Sequence, residues 1–143
     1  MALSASPAEI QIVTFMLNGE EYCVDVMRVR EIISMVPLTK AVSSNHYVEG
    51  MINLRGNIIP VISLRKRLGM PDAPHDNNTC IAIMECSGEL QGFIVDEISD
   101  VIRIRSEEIQ PPATTMEKEW IDGIINMAQR IVVVMNPQNL TEH

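Results

Sequence analysis

The stretch Tyr47–Leu64, Y-V-E-G-M-I-N-L-R-G-N-I-I-P-V-I-S-L, decides how this chain folds. Met51, Ile52 and Leu54 lead into Arg55-Gly56-Asn57, and Ile58, Ile59, Val61 and Ile62 lead out. Glycine and asparagine tolerate the left-handed backbone that a tight turn needs, so the pattern predicts two strands folded back on each other. Pro60 has no N–H for a ladder, which predicts an edge or bulged second strand. A single arginine inside such an apolar hairpin must snorkel, pair or meet a partner, because an unpaired buried charge costs several kcal/mol.

Working outward, Ile10–Leu17 and Tyr22–Val26 flank Asn18-Gly19 as a further hairpin. Val26, Val29 and Ile33 then fall at helical spacing and predict a turn or two of helix, stopped by Pro37. Ser43-Ser44-Asn45 is a plausible cap for another short helical piece. The run from Gly69 to Thr79 holds Pro71, Pro74, Asn77 and Asn78 without apolar periodicity and reads as an exposed connection. Beyond it, Cys80–Cys86 and Leu90–Val95 flank Ser87-Gly88 as a second such hairpin; Glu97–Arg105 is mixed, Gln110–Thr115 is proline-rich, and Trp120–Met135 ends in I-V-V-V-M.

The second half repeats the first. Residues 48–61 laid on 121–134, an offset of 73, match identically at Gly50/Gly123, Ile52/Ile125, Asn53/Asn126, Ile58/Ile131 and Val61/Val134. Upstream the offset is 69: Gly19-Glu20 falls on Gly88-Glu89, and Val29, Glu31, Ile32 and Ile33 fall on Ile98, Asp100, Val101 and Ile102. The four extra residues fit a longer loop near Pro111-Pro112. Two halves of short strands, each too small to bury a robust core alone, predict two small barrels sharing an interface.

Composition narrows the function. With 46% hydrophobic residues the 143-residue chain can fill a core, while a net charge of −8 and 3% aromatics argue against nucleic-acid binding. No apolar run reaches membrane-spanning length and Met1–Glu9 has no secretory pattern, so a cytoplasmic address is the default. Cys23, Cys80 and Cys86 lack disulfide or zinc spacing and read as small hydrophobes.

Catalytic chemistry finds no foothold. The pairs Glu20-Glu21, Asp96-Glu97 and Glu107-Glu108 would point to opposite faces of a strand, and His46, His75 and His143 are scattered. Ser63 and Cys86 lack a nucleophile signature, and no phosphate-binding glycine loop exists. The ten methionines are mostly core filler. Arg55 stands apart, with Glu31 the natural partner; in the second half the equivalents are Ala128 and Asp100, so the carboxylate persists and the arginine is lost.

V-R-E-I-I at Val29–Ile33, the run Glu49–Arg65 and V-D-E-I-S-D-V at Val95–Val101 together resemble the CheW family of chemotaxis coupling proteins, over roughly Ile10 to Leu140. The resemblance implies a mostly β fold of two intertwined, five-stranded SH3-like barrels with a few short helices in one domain, 1–143. The first barrel is expected at about 17–68 and the second at about 80–135, with the N-terminal strand and C-terminal segment candidates for exchange. It implies an adaptor, not an enzyme, and no cofactor. Such a protein bridges the cytoplasmic tip of a methyl-accepting chemoreceptor and the regulatory domain of the CheA histidine kinase, recruited to membrane receptor arrays.

By position the resemblance also implies that Glu31 and Arg55 form a structural salt bridge, that Val29, Ile33 and Met35 meet the kinase, and that Gly50, Ile94 and Val101 border a receptor groove. Many family members continue into a C-terminal helix; Asn136–His143 leaves room for a very short one. Alternatives are a coupling protein of a pilus or biofilm pathway, or a CheW-like module of a larger signalling protein, against which Met1 and the short leader speak.

Overall fold

A computed structural model describes residues 9–40, 45–116 and 118–141. The leader Met1–Ala8, the predicted caps Ser43 and Ser44, and His143 lie outside the described residues. The strands are β1 (Glu9–Leu17), β2 (Glu20–Asp25), β3 (Val29–Ser34), β4 (Val48–Leu54), β5 (Asn57–Ser63), β6 (Cys80–Cys86), β7 (Glu89–Val95), β8 (Glu97–Arg105), β9 (Ile121–Met127) and β10 (Arg130–Met135). Two one-turn helices, α1 (Leu64–Arg67) and α2 (Gln138–Thr141), follow β5 and β10.

The strands form two five-stranded sheets. Sheet I runs β3-β6-β7-β5-β4 and sheet II runs β8-β1-β2-β10-β9. Replacing each strand of one half by its counterpart in the other converts one order into the other. Each half therefore donates its leading hairpin, β1-β2 or β6-β7, to the sheet built on the rest of the other half.

The ranges 17–68 and 80–135 consequently do not delimit the two sheets. Exchange involves both leading hairpins, and β8 joins them across the halves, pairing with β1 in sheet II. Neither sheet closes as a continuous ladder; each has its far edge tied back by a single bridge, Thr39 to Met51 in sheet I and Gln110 to Ile124 in sheet II. The offset between halves grows from 69 at β3/β8 to 71 at these bridge residues and 73 at β4/β9, so the extra residues enter on both sides of Gln110.

Three packed clusters follow from the exchange. Ile52, Ile59, Val61, Ile81, Ile83 and Ile94 fill sheet I, and Ile12, Cys23, Ile104, Ile125, Val132 and Val134 fill sheet II. Between them, one face of each donated hairpin (Val13, Phe15 and Leu17; Ala82, Met84 and Cys86) meets Phe93, Val95, Met135 and Leu140 in a shared core. The donated strands are thus covered on both faces, which is why I-V-T-F-M-L and I-A-I-M read as near-continuous apolar runs. Burying Phe15 or Phe93 completely contributes about 1.5–3 kcal/mol each.

Gly50 and Gly123 owe their identity to the bridges. A Cβ on Gly50 would lie 2.5 Å from the Thr39 carbonyl oxygen, and one on Gly123 would lie 2.6 Å from that of Gln110.

Two local expectations change. Helix after β2 is confined to one 3-10 turn, Val26–Arg28, capped by the Asp25 side chain; from Val29 the chain is a strand of alternating burial, favoured by β-branched Val29, Ile32 and Ile33. Pro60 lies in an interior strand, between β7 and β4. It is tolerated because Met51, opposite it, turns its N–H and C=O to Thr39, so the Pro60 nitrogen faces β7, whose ladder with β5 begins only at Val61. In sheet II the equivalent ladder starts earlier, at Val132.

Candidate protein-interaction surfaces

The β4-β5 turn places Arg55 and Gly56 in left-handed backbone (φ 52° and 88°), with the Asn53 side-chain oxygen accepting from Gly56 N at 3.0 Å. From there Arg55 Nη2 donates to Glu31 Oε1. The pair clips β3, one edge of sheet I, to the hairpin that forms its other edge, beside the Thr39–Met51 bridge. The arginine is not sunk in the apolar run: its side chain is 69% exposed and that of Glu31 32%. Solvent therefore screens the pair, and it holds the edge in place at small net energy. In sheet II the Asp100 carboxylate instead accepts from Val101 N at 2.8 Å, and Ala128 supplies no cation.

β3 is an edge strand, and its alternation sorts the candidate residues. Val29, Ile33 and Met35 are half-buried: Val29 packs on the shared core, and Ile33 and Met35 on the core of sheet I. The opposite parity faces outward, with Ile32 37% and Val36 39% exposed. Gly50 and Ile94 are both buried, whereas Val101, on the β8 edge of sheet II, is 52% exposed. The three are not on one sheet: Gly50 and Ile94 lie on β4 and β7 of sheet I, and Val101 lies on β8 of sheet II.

Of the residues that present apolar surface, sequence reasoning singled out Val101 and missed Ile32, Ile58 and Ile131. Ile58 and Ile131, 61% and 58% exposed, are equivalent at offset 73, and Ile32 and Val101 are equivalent at offset 69. Each sheet therefore offers solvent the same two positions. The repeat alignment carried that signal, since both pairs keep a large apolar side chain at a place the core does not use.

The groups considered for chemistry have structural occupations. Ser63 Oγ accepts from Lys66 N and caps α1. Burial, then the Glu21 and Asp25 charges, pushes the Cys23 thiol up to about 12, and burial pushes Cys86 up to about 11, so both stay protonated packing groups. A polar crevice of about 140 Å3 beside the 69–79 connection holds the Arg65–Asp96 pair, with Nη2 to Oδ2 at 2.6 Å. Burial alone would raise the Asp96 carboxyl, but the Arg65 hydrogen bonds, the Asn18 N–H and the nearby positive charge together hold it below the usual range.

A larger pocket, about 570 Å3, opens at the β1-β2 turn of sheet II between Tyr22, Trp120, Arg130, Ile131 and Val133. α2, as short as expected, buries Leu140 in the shared core while Arg67 Nε donates to the Leu140 carbonyl at 2.7 Å. Among the described residues no helix is long and apolar enough to cross a membrane, and no cluster of His, Cys, Asp or Glu could hold a metal.

Known proteins share this arrangement. Residues 11–143 match the CheW-like domain family. The chain is 31% identical to the probable chemotaxis protein CheW of Rhizobium etli, over 96% of this chain and 90% of that protein. It is 33% identical to the chemotaxis protein CheW of Bacillus subtilis, over 88% and 83%. The crystal structure of the scaffolding protein TtCheW from Thermoanaerobacter tengcongensis superposes with a TM-score of 0.88 at 34% identity, covering all of this chain and 94% of that one. With a family match over residues 11–143 and a fold shared over nearly the whole length, this chain belongs to the CheW-like domain family.

Proposed function

We propose that this chain is a non-catalytic chemotaxis adaptor, cytoplasmic and recruited to receptor arrays, that couples methyl-accepting chemoreceptors to a CheA-type histidine kinase through protein contacts. The observation that carries this reading is the agreement over nearly the whole length, in sequence and in fold, with proteins named as chemotaxis protein CheW and as a scaffolding protein. The fold suits the task, because two pseudo-equivalent sheets each expose a strand edge and a pair of apolar side chains, giving one small protein two comparable docking faces.

Within that reading the β3 edge meets the kinase. Val29, Ile33 and Met35 shape the strand from beneath and Ile32 and Val36 supply its outward surface. Val101 contributes directly to the receptor-facing surface, and Gly50 and Ile94 support it from the core. The Glu31–Arg55 pair fixes the edge that the kinase reads.

The test is reconstitution of the purified chain with the cognate kinase regulatory domain and a receptor-tip fragment. Saturable complexes at micromolar concentration are expected. Ile32→Arg should weaken kinase binding about ten-fold or more with the melting temperature unchanged. Val101→Met should weaken receptor coupling and leave the kinase complex intact. Failure of the unmodified chain to bind any cognate kinase would sink the proposal.

A further inference from the structure

Trp120 and Tyr47 occupy equivalent places in the two halves. Their carbonyl oxygens accept from Asn136 N and Ser63 N, each at 2.8 Å, and both rings pack against the shared core. Over the Tyr47 ring sits a guanidinium of the chain itself: Arg67 Cζ is 5.6 Å from the centroid, tethered through Nε to the Leu140 carbonyl. Over Trp120 no cation lies among the described residues. Its indole instead lines the 570 Å3 pocket, tilted 48° to the Tyr22 ring at 6.4 Å, with Met16, Ile131 and Val133 as apolar wall and Glu20 and Glu21 beside it.

The charges there do not balance. Glu21 pairs with Arg130, Oε1 to Nε at 3.1 Å. Glu20 Oε1 accepts from the Tyr22 hydroxyl at 2.7 Å, and its Oε2 has no protein partner among the described residues. Burial, then the bond to Glu20, raises the Tyr22 hydroxyl further above its ordinary range, so it donates a proton and carries no charge. One uncompensated carboxylate thus stands beside an aromatic pocket, whereas the corresponding cavity in the other half, about 380 Å3 between Asn57, Ile58, Pro60, Glu89 and Leu90, has no aromatic wall.

We infer that this pocket receives an arginine side chain from a basic segment of a protein partner: the guanidinium over the Trp120 indole, its alkyl stem along Met16, Ile131 and Val133, and its charge facing Glu20. The net charge of −8 favours the approach of such a segment. This rests on the adaptor reading for the existence of a partner, and on the pocket alone for the chemistry recognised.

Trp120 is the chain's one tryptophan, so its fluorescence reports on the site directly. The probe is the peptide acetyl-Gly-Arg-Arg-Gly-amide, titrated against its isosteric citrulline counterpart, which keeps the shape and loses the charge. A saturable change with the arginine peptide is expected, about five-fold weaker or more with citrulline, about three-fold weaker in Glu20→Gln, and falling as salt rises. Glu20 is exposed, so the variant should keep the parent melting temperature. No saturable response, an equal response to citrulline, or indifference to Glu20→Gln would each overturn the inference. A chain that binds the kinase domain yet ignores the arginine peptide loses this pocket alone; one that binds the peptide but no kinase domain keeps the pocket and loses the adaptor reading.

Discussion

Sheet I and sheet II are the same strand arrangement built twice, and they differ almost wholly in their polar trim. Sheet I has Arg55 clipped to Glu31, Arg67 over Tyr47, and Lys66 paired with Glu49 at 2.6 Å. Sheet II has Ala128 at the equivalent turn, no cation over Trp120 among the described residues, a parallel ladder that begins two residues earlier than in sheet I, and a pocket with aromatic walls. The apolar positions hardly change: Ile12, Ile125, Val132 and Val134 of one sheet answer Ile81, Ile52, Ile59 and Val61 of the other. Dense packing penalises change in the core, whereas exposed polar groups cost little to replace. The halves can therefore share a scaffold and still present different surfaces.

The largest effect expected from breaking this arrangement comes from its shared element. Leu140→Ala should lower stability by about 2–5 kcal/mol, and because Leu140 serves the core common to both sheets, urea unfolding followed by near-ultraviolet dichroism and by Trp120 fluorescence should give coincident transitions. Separate transitions would show that the sheets are more independent than the exchanged hairpins imply.

Next come the two bridge glycines. Gly50→Ala and Gly123→Ala should each cost about 1–3 kcal/mol, since both new methyl groups meet a backbone carbonyl. Similar losses in thermal melts would support the equivalence of the halves; a neutral effect at one glycine would break it there.

The clip is worth less. Arg55→Ala should cost no more than about 1 kcal/mol, and a double-mutant cycle with Glu31→Ala should return about 0.2–1 kcal/mol, because the pair is exposed. A coupling of several kcal/mol would mean that the arginine is shielded in solution.

The smallest effect concerns acid. Asp96 titrates below its ordinary value in the folded chain, so its pairing with Arg65 adds stability that is present above the unfolded carboxyl value near 3.9 and is lost as pH falls through the lower folded value. The stability difference between the parent and Asp96→Asn should therefore shrink as pH is lowered from 5 toward 2. A difference that stays constant would remove Asp96 from the acid response.

Much of the fold was legible because hairpins are local. Asn18-Gly19, Arg55-Gly56 and Ser87-Gly88 each mark a turn that the structure contains, and the repeat was visible in paired glycines whose reason is a close backbone approach. Val26, Val29 and Ile33 fall at helical spacing, yet Val29 and Ile33 also share one face of a strand and Val26 belongs to the 3-10 turn before it; so short a run does not separate the two periods. The missing N–H of Pro60 predicts an edge or bulged strand; which side that nitrogen faces depends on Thr39, a residue distant in sequence.

The site was legible only in outline. Arg55 and Glu31 could be paired from charge and pattern, but their exposure could not, since it depends on how far the turn projects beyond the curled sheet. The resemblance implies a kinase contact at Val29, Ile33 and Met35; parity along β3 and just beyond it leaves these three half-buried and turns Ile32 and Val36 outward.

By itself, the sequence determined the hairpins, the duplication, the family and the absence of a recognisable catalytic motif, because turn chemistry and alternating apolar residues act between neighbours along the chain. Only the tertiary structure decided which hairpin joins which sheet. Strands such as β1 and β6 are apolar on both faces, so their pattern fits either half equally; the choice follows from long-range packing that buries one face in a sheet's own core and the other in the core both halves share.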